Sequence, residues 1–259
     1  MTMRADMTMR ATMKRGAVLP FGLVLALTAV LLTAGSAPLT AQPDTATGDH
    51  KVLVLHSYSG ESRWTSTMDR AIHETFAASD VRPAVFVEHM DSKRYDFGRI
   101  AAPFRALLEA KYDVSTFSVV MVTDDNAAEF AARNRTSLFG DIPIVFAGAN
   151  AYTPKLRERL KPATGVAEEP DIAGTIDIAL ALHPEADTLV AVSDVTTTGR
   201  LNLARFNRAV EALSGEYEVR RLSELPTTHL REGLAALPAN AVVFNLSLFR
   251  TADVRVVGV

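Results

Sequence analysis

Between Lys51 and Val166, apolar runs of strand length alternate with helix-length segments, and the polar residues gather where the runs end. Lys51-Val-Leu-Val-Leu-His-Ser-Tyr58 breaks into small polar residues. Phe117-Ser-Val-Val-Met-Val-Thr-Asp-Asp-Asn126 and Ile142-Pro-Ile-Val-Phe-Ala-Gly-Ala-Asn150 end the same way. Near-continuous apolar runs are the signature of parallel strands, because helices cover both faces of the sheet. Ligands of open parallel sheets sit outside the carboxyl ends of the strands. Ser57, Tyr58, Asp124, Asp125, Asn126 and Asn150 are therefore expected to converge on one crevice suited to a small polar molecule.

The spacing predicts strands at 51–56, 83–89, 117–123 and 142–147, with helices at 64–79, 97–111 and 126–137. Right-handed crossovers then require a doubly wound parallel sheet. Ala163-Thr-Gly-Val-Ala167 reads as a fifth strand or a crossing to a second lobe. Beyond it the pattern restarts: helix 171–182, strand 187–193, helix 199–213, strand 217–222, helix 228–236 and strand 241–247. The expected fold class is α/β, with lobe 1 at 51–166 and lobe 2 at 167–259. Such a clamshell closes on its ligand by hinge bending. Lobe 2 has fewer strands than a complete clamshell lobe needs, so it reads as incomplete, and the chain as a C-terminally truncated form of a longer protein.

Residues 1–41 read as a secretory signal peptide or an N-terminal anchor. Arg4, Arg10, Lys14 and Arg15 precede an apolar stretch at 17–32, followed by small residues, with cleavage expected after Ser36 or Ala41. An uncleaved anchor would run through 17–34, near the minimum length for a membrane span. Either form exports the body to the periplasm or another extracytoplasmic space. Residues 42–50, rich in Pro, Thr, Asp and Gly, read as a linker. Apolar content of 48% and charged content of 22% are ordinary for a globular chain of 259 residues. A formal charge of −3 without a basic block argues against a nucleic-acid partner. The absence of cysteine removes disulfides, thiolate metal sites and cysteine nucleophiles. No metal site, cofactor or catalytic residue is expected.

Several motifs in fixed order resemble the ABC-transporter substrate-binding-protein-like family. They are Leu55-His-Ser-Tyr58 with Trp64, then Glu88-His-Met-Asp-Ser-Lys-Arg94, Lys111-Tyr112 and Thr123-Asp-Asp-Asn126. Leu138-Phe-Gly-Asp-Ile-Pro-Ile-Val-Phe-Ala-Gly-Ala-Asn150, Thr164-Gly-Val166, His183-Pro184, and Asp194 with Thr196, Thr198 and Gly199 complete the series over residues 50–247. The resemblance implies a fold like that of type I periplasmic binding proteins. It implies one of two settings: a solute receptor for an ABC permease, or the periplasmic input domain of a histidine kinase or diguanylate cyclase. The Glu-x-Met-Asp-x-Lys-Arg and Asp-Asp-Asn forms are more similar to the sensor branch.

Each candidate site residue has two readings. Asp124, Asp125 and Asn126 line the cleft, or they cap the helix that follows. Ser57 and Tyr58 hold a polar ligand on which Trp64 stacks, or Trp64 anchors its own helix. His56 and Ser57 cannot form a base and nucleophile, because successive strand residues face opposite ways. Asp91 reaches the cleft rim, while Lys93 and Arg94 are expected in surface ion pairs. Gly148 lets a ligand approach the backbone, and Asn150 supplies a donor and an acceptor. Asp194 and Thr196 open a helix in lobe 2, where Asp194 favours a zwitterion or a cation. Glu168 faces the cleft or solvent. The expected function is a sensing module for a polar or aromatic solute. The alternatives are an importer's binding protein, a truncated product without independent function, and an exported α/β hydrolase. The last lacks Gly-x-Ser-x-Gly and a phosphate loop.

Overall fold

A computed structural model describes residues 50–253. The expected leader or anchor (1–41), residues 42–49 of the linker and residues 254–259 lie outside the described residues. Strand β1 (Lys51–His56) sits between β2 (Ala84–His89) and β3 (Val119–Thr123), and β4 (Ile144–Ala149) and β5 (Ala163–Ala167) extend the sheet. The order is β2-β1-β3-β4-β5 and every pairing is parallel. β1 shows why this sheet is doubly wound. Leu53 and Leu55 point into a core shared with Phe104, Leu108 and Phe130. Val52 and Val54, alternating with them, meet Ile72 on the other face. Helix α1 (Arg63–Ala77) covers that second face, while α2 (Phe97–Lys111) and α3 (Asp124–Arg133) cover the first. Truncating fully buried Leu53 or Leu55 to Ala costs about 2–5 kcal/mol in a core of this kind.

A short helix, α4 (Pro154–Leu160), joins β4 to β5 where the sequence reading placed none. Its signal was present: Thr153 caps it by accepting from Leu156 N at 3.2 Å, and Pro154 takes the first turn. Helix α5 (Ile172–Leu182) then leads to a second sheet of β6 (Thr188–Ser193), β7 (Glu218–Ser223) and β8 (Ala241–Asn245), in the order β7-β6-β8. Helices α6 (Thr197–Glu211) and α7 (Thr227–Ala235) make its crossovers. All residues of β6 are buried, and Phe206 and Phe244 meet at 5.4 Å in the core beneath it.

Two departures bear on the site. Helix α3 begins at Asp124 rather than 126 and gives way to a π-turn at Arg135–Phe139. The early start places both aspartates in its first turn. Strand β8 ends at Asn245, short of the expected 247, so the following residues leave the sheet and turn toward the first lobe.

Candidate functional site

The carboxyl ends of β1 and β3 are joined by one serine. Ser57 Oγ donates to Thr123 O at 2.6 Å and accepts from Ala127 N at 2.8 Å. It thereby satisfies an orphan amide in the first turn of α3, a task the Thr123 side chain leaves open. The tight strand-to-helix turn puts Asp124 at φ 65°, a conformation that aspartate tolerates better than most residues. Its Oδ1 accepts from Asp125 N at 2.6 Å, and its Oδ2 accepts from the Tyr58 hydroxyl. Asp125 turns away and accepts from Ala151 N at 2.7 Å, which holds the loop after β4. Asn126 donates to Ser92 Oγ at 2.8 Å and accepts from Thr197 Oγ1, in the second lobe, at 3.0 Å.

A cavity of about 430 Å³ opens at this junction and has walls from both lobes. Tyr58, Trp64, Lys93, Asp124 and Asn150 line it from the first lobe, and Glu168 from the connection. Thr198, Asn202 and residues 245–249 line it from the second. Trp64 enters from the first turn of α1 and meets Tyr58 edge-on, ring centroids 5.6 Å apart. Gly148 makes this possible. At φ 69°, a Cβ there would lie 2.7 Å from Trp64 Cζ2, so no larger residue fits without moving the indole.

Electrostatics sharpen the site. Lys93 is only 5% exposed, and its Nζ lies 3.4 Å from the centre of the Phe249 ring and 4.1 Å from that of Tyr58. Burial pulls its pKa down to about 8 against the opposing pull of Asp124, Asp194, Asp125 and Glu168. The rings are its contacts; among the described residues no hydrogen bond or ion pair reaches this ammonium. Asp124 moves the other way. Burial and the neighbouring Asp125 raise its pKa to about 7, opposed by the Tyr58 hydrogen bond and Lys93. Burial, then Asp124, also pushes the Tyr58 hydroxyl well above its ordinary value.

The candidate residues thus divide by task. Tyr58, Trp64, Asp124 and Asn150 line the cavity, and Gly148 clears room for one of them. Ser57, Asp125 and Asn126 hold the frame. Asp194 does so in the second lobe: Oδ1 accepts from Thr196 N at 2.9 Å, and Oδ2 from Phe249 N at 2.5 Å and Arg250 N at 3.2 Å. It therefore places Phe249 over Lys93. Thr196 caps α6 by accepting from Gly199 N at 3.1 Å. Its neighbour Thr198 faces the cavity instead, 3.2 Å from the Tyr58 hydroxyl.

Lys93 departs from the sequence reading. Arg94 does make ion pairs, with Asp91 at 3.2 Å and with Glu61, but Lys93 is drawn inside. Buried Met90 and Ser92 immediately before it fold this segment inward. Asp91 is held by Arg94 and does not line the cavity. Glu168 is exposed and lines the cavity mouth at the same time. His56 is buried, with Nδ1 2.8 Å from Thr123 Oγ1 and its ring stacked on His89. Burial and His89 lower its pKa to about 4, so it is neutral at ordinary pH.

Solved structures with this architecture include an extracellular ligand-binding receptor from Verminephrobacter eiseniae. It aligns with a TM-score of 0.52 and 16% identity, over 76% of this chain and 57% of the receptor. A protein assigned to the LacI transcriptional regulators, from Bacteroides fragilis, aligns with a TM-score of 0.51 and 11% identity, over 76% of this chain and 69% of that one. A scan against protein-family models finds no match, and neither does a search of curated proteins. The fold is that of type I periplasmic binding proteins: doubly wound parallel sheets in an α/β chain. This chain spans a little over half the length of the receptor. Because the fold is shared by a receptor and a protein assigned as a regulator, function has to be argued from the site.

Proposed function

We propose that this chain is an extracytoplasmic small-solute-binding module, and that it serves as the ligand-sensing input of a bacterial signalling receptor. The cavity between the carboxyl ends of the two sheets carries this reading, because it combines aromatic walls with buried charges of both signs. Its volume of about 430 Å³ lies within the range of small-molecule sites. The two lobes already touch around it. Besides the Asn126–Thr197 and Tyr58–Thr198 contacts, Arg205 donates to Asn150 O at 2.5 Å. A solute that binds both walls favours this arrangement over a parted one only by its greater affinity for it.

Binding rather than turnover suits the chemistry present. The Ser57 hydroxyl is bonded to backbone on both sides, and His56 lies buried on the sheet away from it. Delivery to an ABC permease is the second reading of the same site, which the likeness to an extracellular receptor supports equally. The sensor reading rests on the resemblance of the Glu88–Arg94 and Asp124–Asn126 motifs. Trp64 is the chain's single tryptophan, so its fluorescence reports on the cleft. Saturable changes with small solutes, accompanied by a rise in melting temperature, are expected. A flat response across amino acids, organic acids, sugars, purines and quaternary amines would defeat the binding reading. Copurification with a kinase or cyclase output domain, as opposed to a permease, separates the two settings.

A further inference from the structure

We infer that the cleft takes a small organic monocarboxylate with an apolar or aromatic body, and that the Lys93 ammonium is the group that receives the carboxylate. The inference rests on the solute-binding reading and names the class of solute. Its starting point is an imbalance. Lys93 is only 5% exposed and reaches the cavity wall, yet its ammonium packs on aromatic faces. The carboxylates that act on it (Asp124, Asp194, Asp125 and Glu168) make no ion pair with it among the described residues. A buried ammonium keeps its charge at lowest cost when an anion and hydrogen-bond acceptors meet it. The rings of Phe249 and Tyr58 stabilise the cation but accept no ordinary hydrogen bond, so donors remain for a ligand oxygen.

The charge inventory selects a monoanion. Asp124 lies in the same wall and Glu168 at the mouth, and Asp125 and Asp194, each held by backbone amides, also act on Lys93. A phosphate dianion would therefore face four carboxylates with one cation to balance it. Phosphate sites also draw on free amides at helix N-termini. At the N-termini of α3 and α6, Ala127 N is taken by Ser57, Asp125 N by Asp124 and Gly199 N by Thr196. Among α1, α3 and α6, only α1, which reaches the cavity through Ser62 and Trp64, starts without a side-chain cap. A carboxylate needs one cation, which Lys93 provides, and the Thr198 hydroxyl in the same cavity joins it by turning from the Tyr58 hydroxyl, whose own proton goes to Asp124. Trp64, Tyr58, Leu246 and Leu248 supply the apolar surface on which the rest of the solute rests.

The test uses matched acids and amides, which differ in charge and hardly in shape. Benzoate and phenylacetate are titrated against benzamide and phenylacetamide, following Trp64 fluorescence and calorimetry in the full chain. Glucose, choline and inorganic phosphate complete the panel. The acids are expected to bind at least tenfold tighter than their amides, and Lys93→Met is expected to erase the difference. Because the acid–amide comparison is made on the unaltered protein, it stands even where the variant folds poorly. Equal binding of acid and amide, or undiminished acid binding by a folded Lys93→Met, overturns the inference and leaves the cleft a solute site. Binding of glucose, choline or phosphate without the acids does the same. Silence from the whole panel counts against both the inference and the reading beneath it.

Discussion

Replacing Lys93 by methionine is expected to stabilise this protein, which is unusual for a buried residue with close neighbours. The lysine pKa moves from 10.5 to about 8, chiefly through burial. At ~1.4 kcal/mol per unit, holding the charge in place costs about 3 kcal/mol at neutral pH. The two ring faces return roughly 0.5–2 kcal/mol each, and a methionine sulfur recovers about 0.3–1.5 kcal/mol against the same rings. The net expectation is a gain of about 1–2 kcal/mol for Lys93→Met at pH 7. The sign with pH follows from linkage. Between about 8 and 10.5 the unfolded chain binds more protons at this lysine than the folded one, so wild-type stability from this group rises through that window. The advantage of the variant should therefore shrink or disappear by pH 10. Urea unfolding of both proteins at pH 7 and pH 10, followed by far-UV circular dichroism, measures it. A variant less stable than wild type by more than about 1 kcal/mol at pH 7 would mean that the charge supports the fold, and the picture of an unpartnered cation would be refuted.

Two further outcomes follow from the same geometry. Ser57→Ala removes the donor to Thr123 O and the acceptor of Ala127 N, both buried, and should lower stability by about 1–3 kcal/mol with solute affinity unchanged. Weakened affinity in a protein of normal melting temperature would put Ser57 back in contact with the ligand. Carboxylate affinity should fall with rising pH, because Lys93 loses its proton near pH 8 while Asp124 becomes an anion near pH 7. Lysine titration alone predicts about a tenfold loss between pH 7 and 9. Asp124, facing Tyr58, Asp125 and Lys93, adds to the fall. Affinity that is flat or rising from pH 6 to 9, measured by calorimetry, contradicts this.

β1 and β6 were legible because central parallel strands are buried on both faces. β1 is an apolar run broken only at its end, and no competing period disturbs it. The convergence of Tyr58, Asp124 and Asn150 followed from the rule about carboxyl ends of strands. What composition and spacing do not encode is direction. Asp124, Asp125 and Asn126 are consecutive, yet the φ of 65° at Asp124 sends one carboxylate to the cavity and the next to Ala151. Lys93 was illegible for another reason. Lys-Arg after a strand is ordinarily a surface pair, and this lysine is covered by Phe249, a residue brought over it only by the fold. Phe249 in turn was hidden because β8 was expected to run to 247. The backbone of Phe249 bonds Asp194, not a strand neighbour, which bends the chain inward.

These contacts suggest how the site would report occupancy under the reading proposed here. Lys93 belongs to the first lobe, and Phe249, placed by Asp194, belongs to the second. Bringing the lobes together strips water from the ammonium and gives it a ring face in exchange. Without an anion, part of the cost of about 3 kcal/mol falls on the closed arrangement and disfavours it. A carboxylate on Lys93 offsets that cost only where the ammonium is desolvated, so the anion binds the closed form better than the parted one. Differential affinity of this kind is what a ligand needs to shift a conformational balance, and the whole ~3 kcal/mol, equivalent to roughly 150-fold, is the upper bound on that shift. An amide of the same shape would fill the same space and leave the penalty standing. Charge at one lysine, rather than fit to the walls, would then decide whether a bound solute closes the lobes.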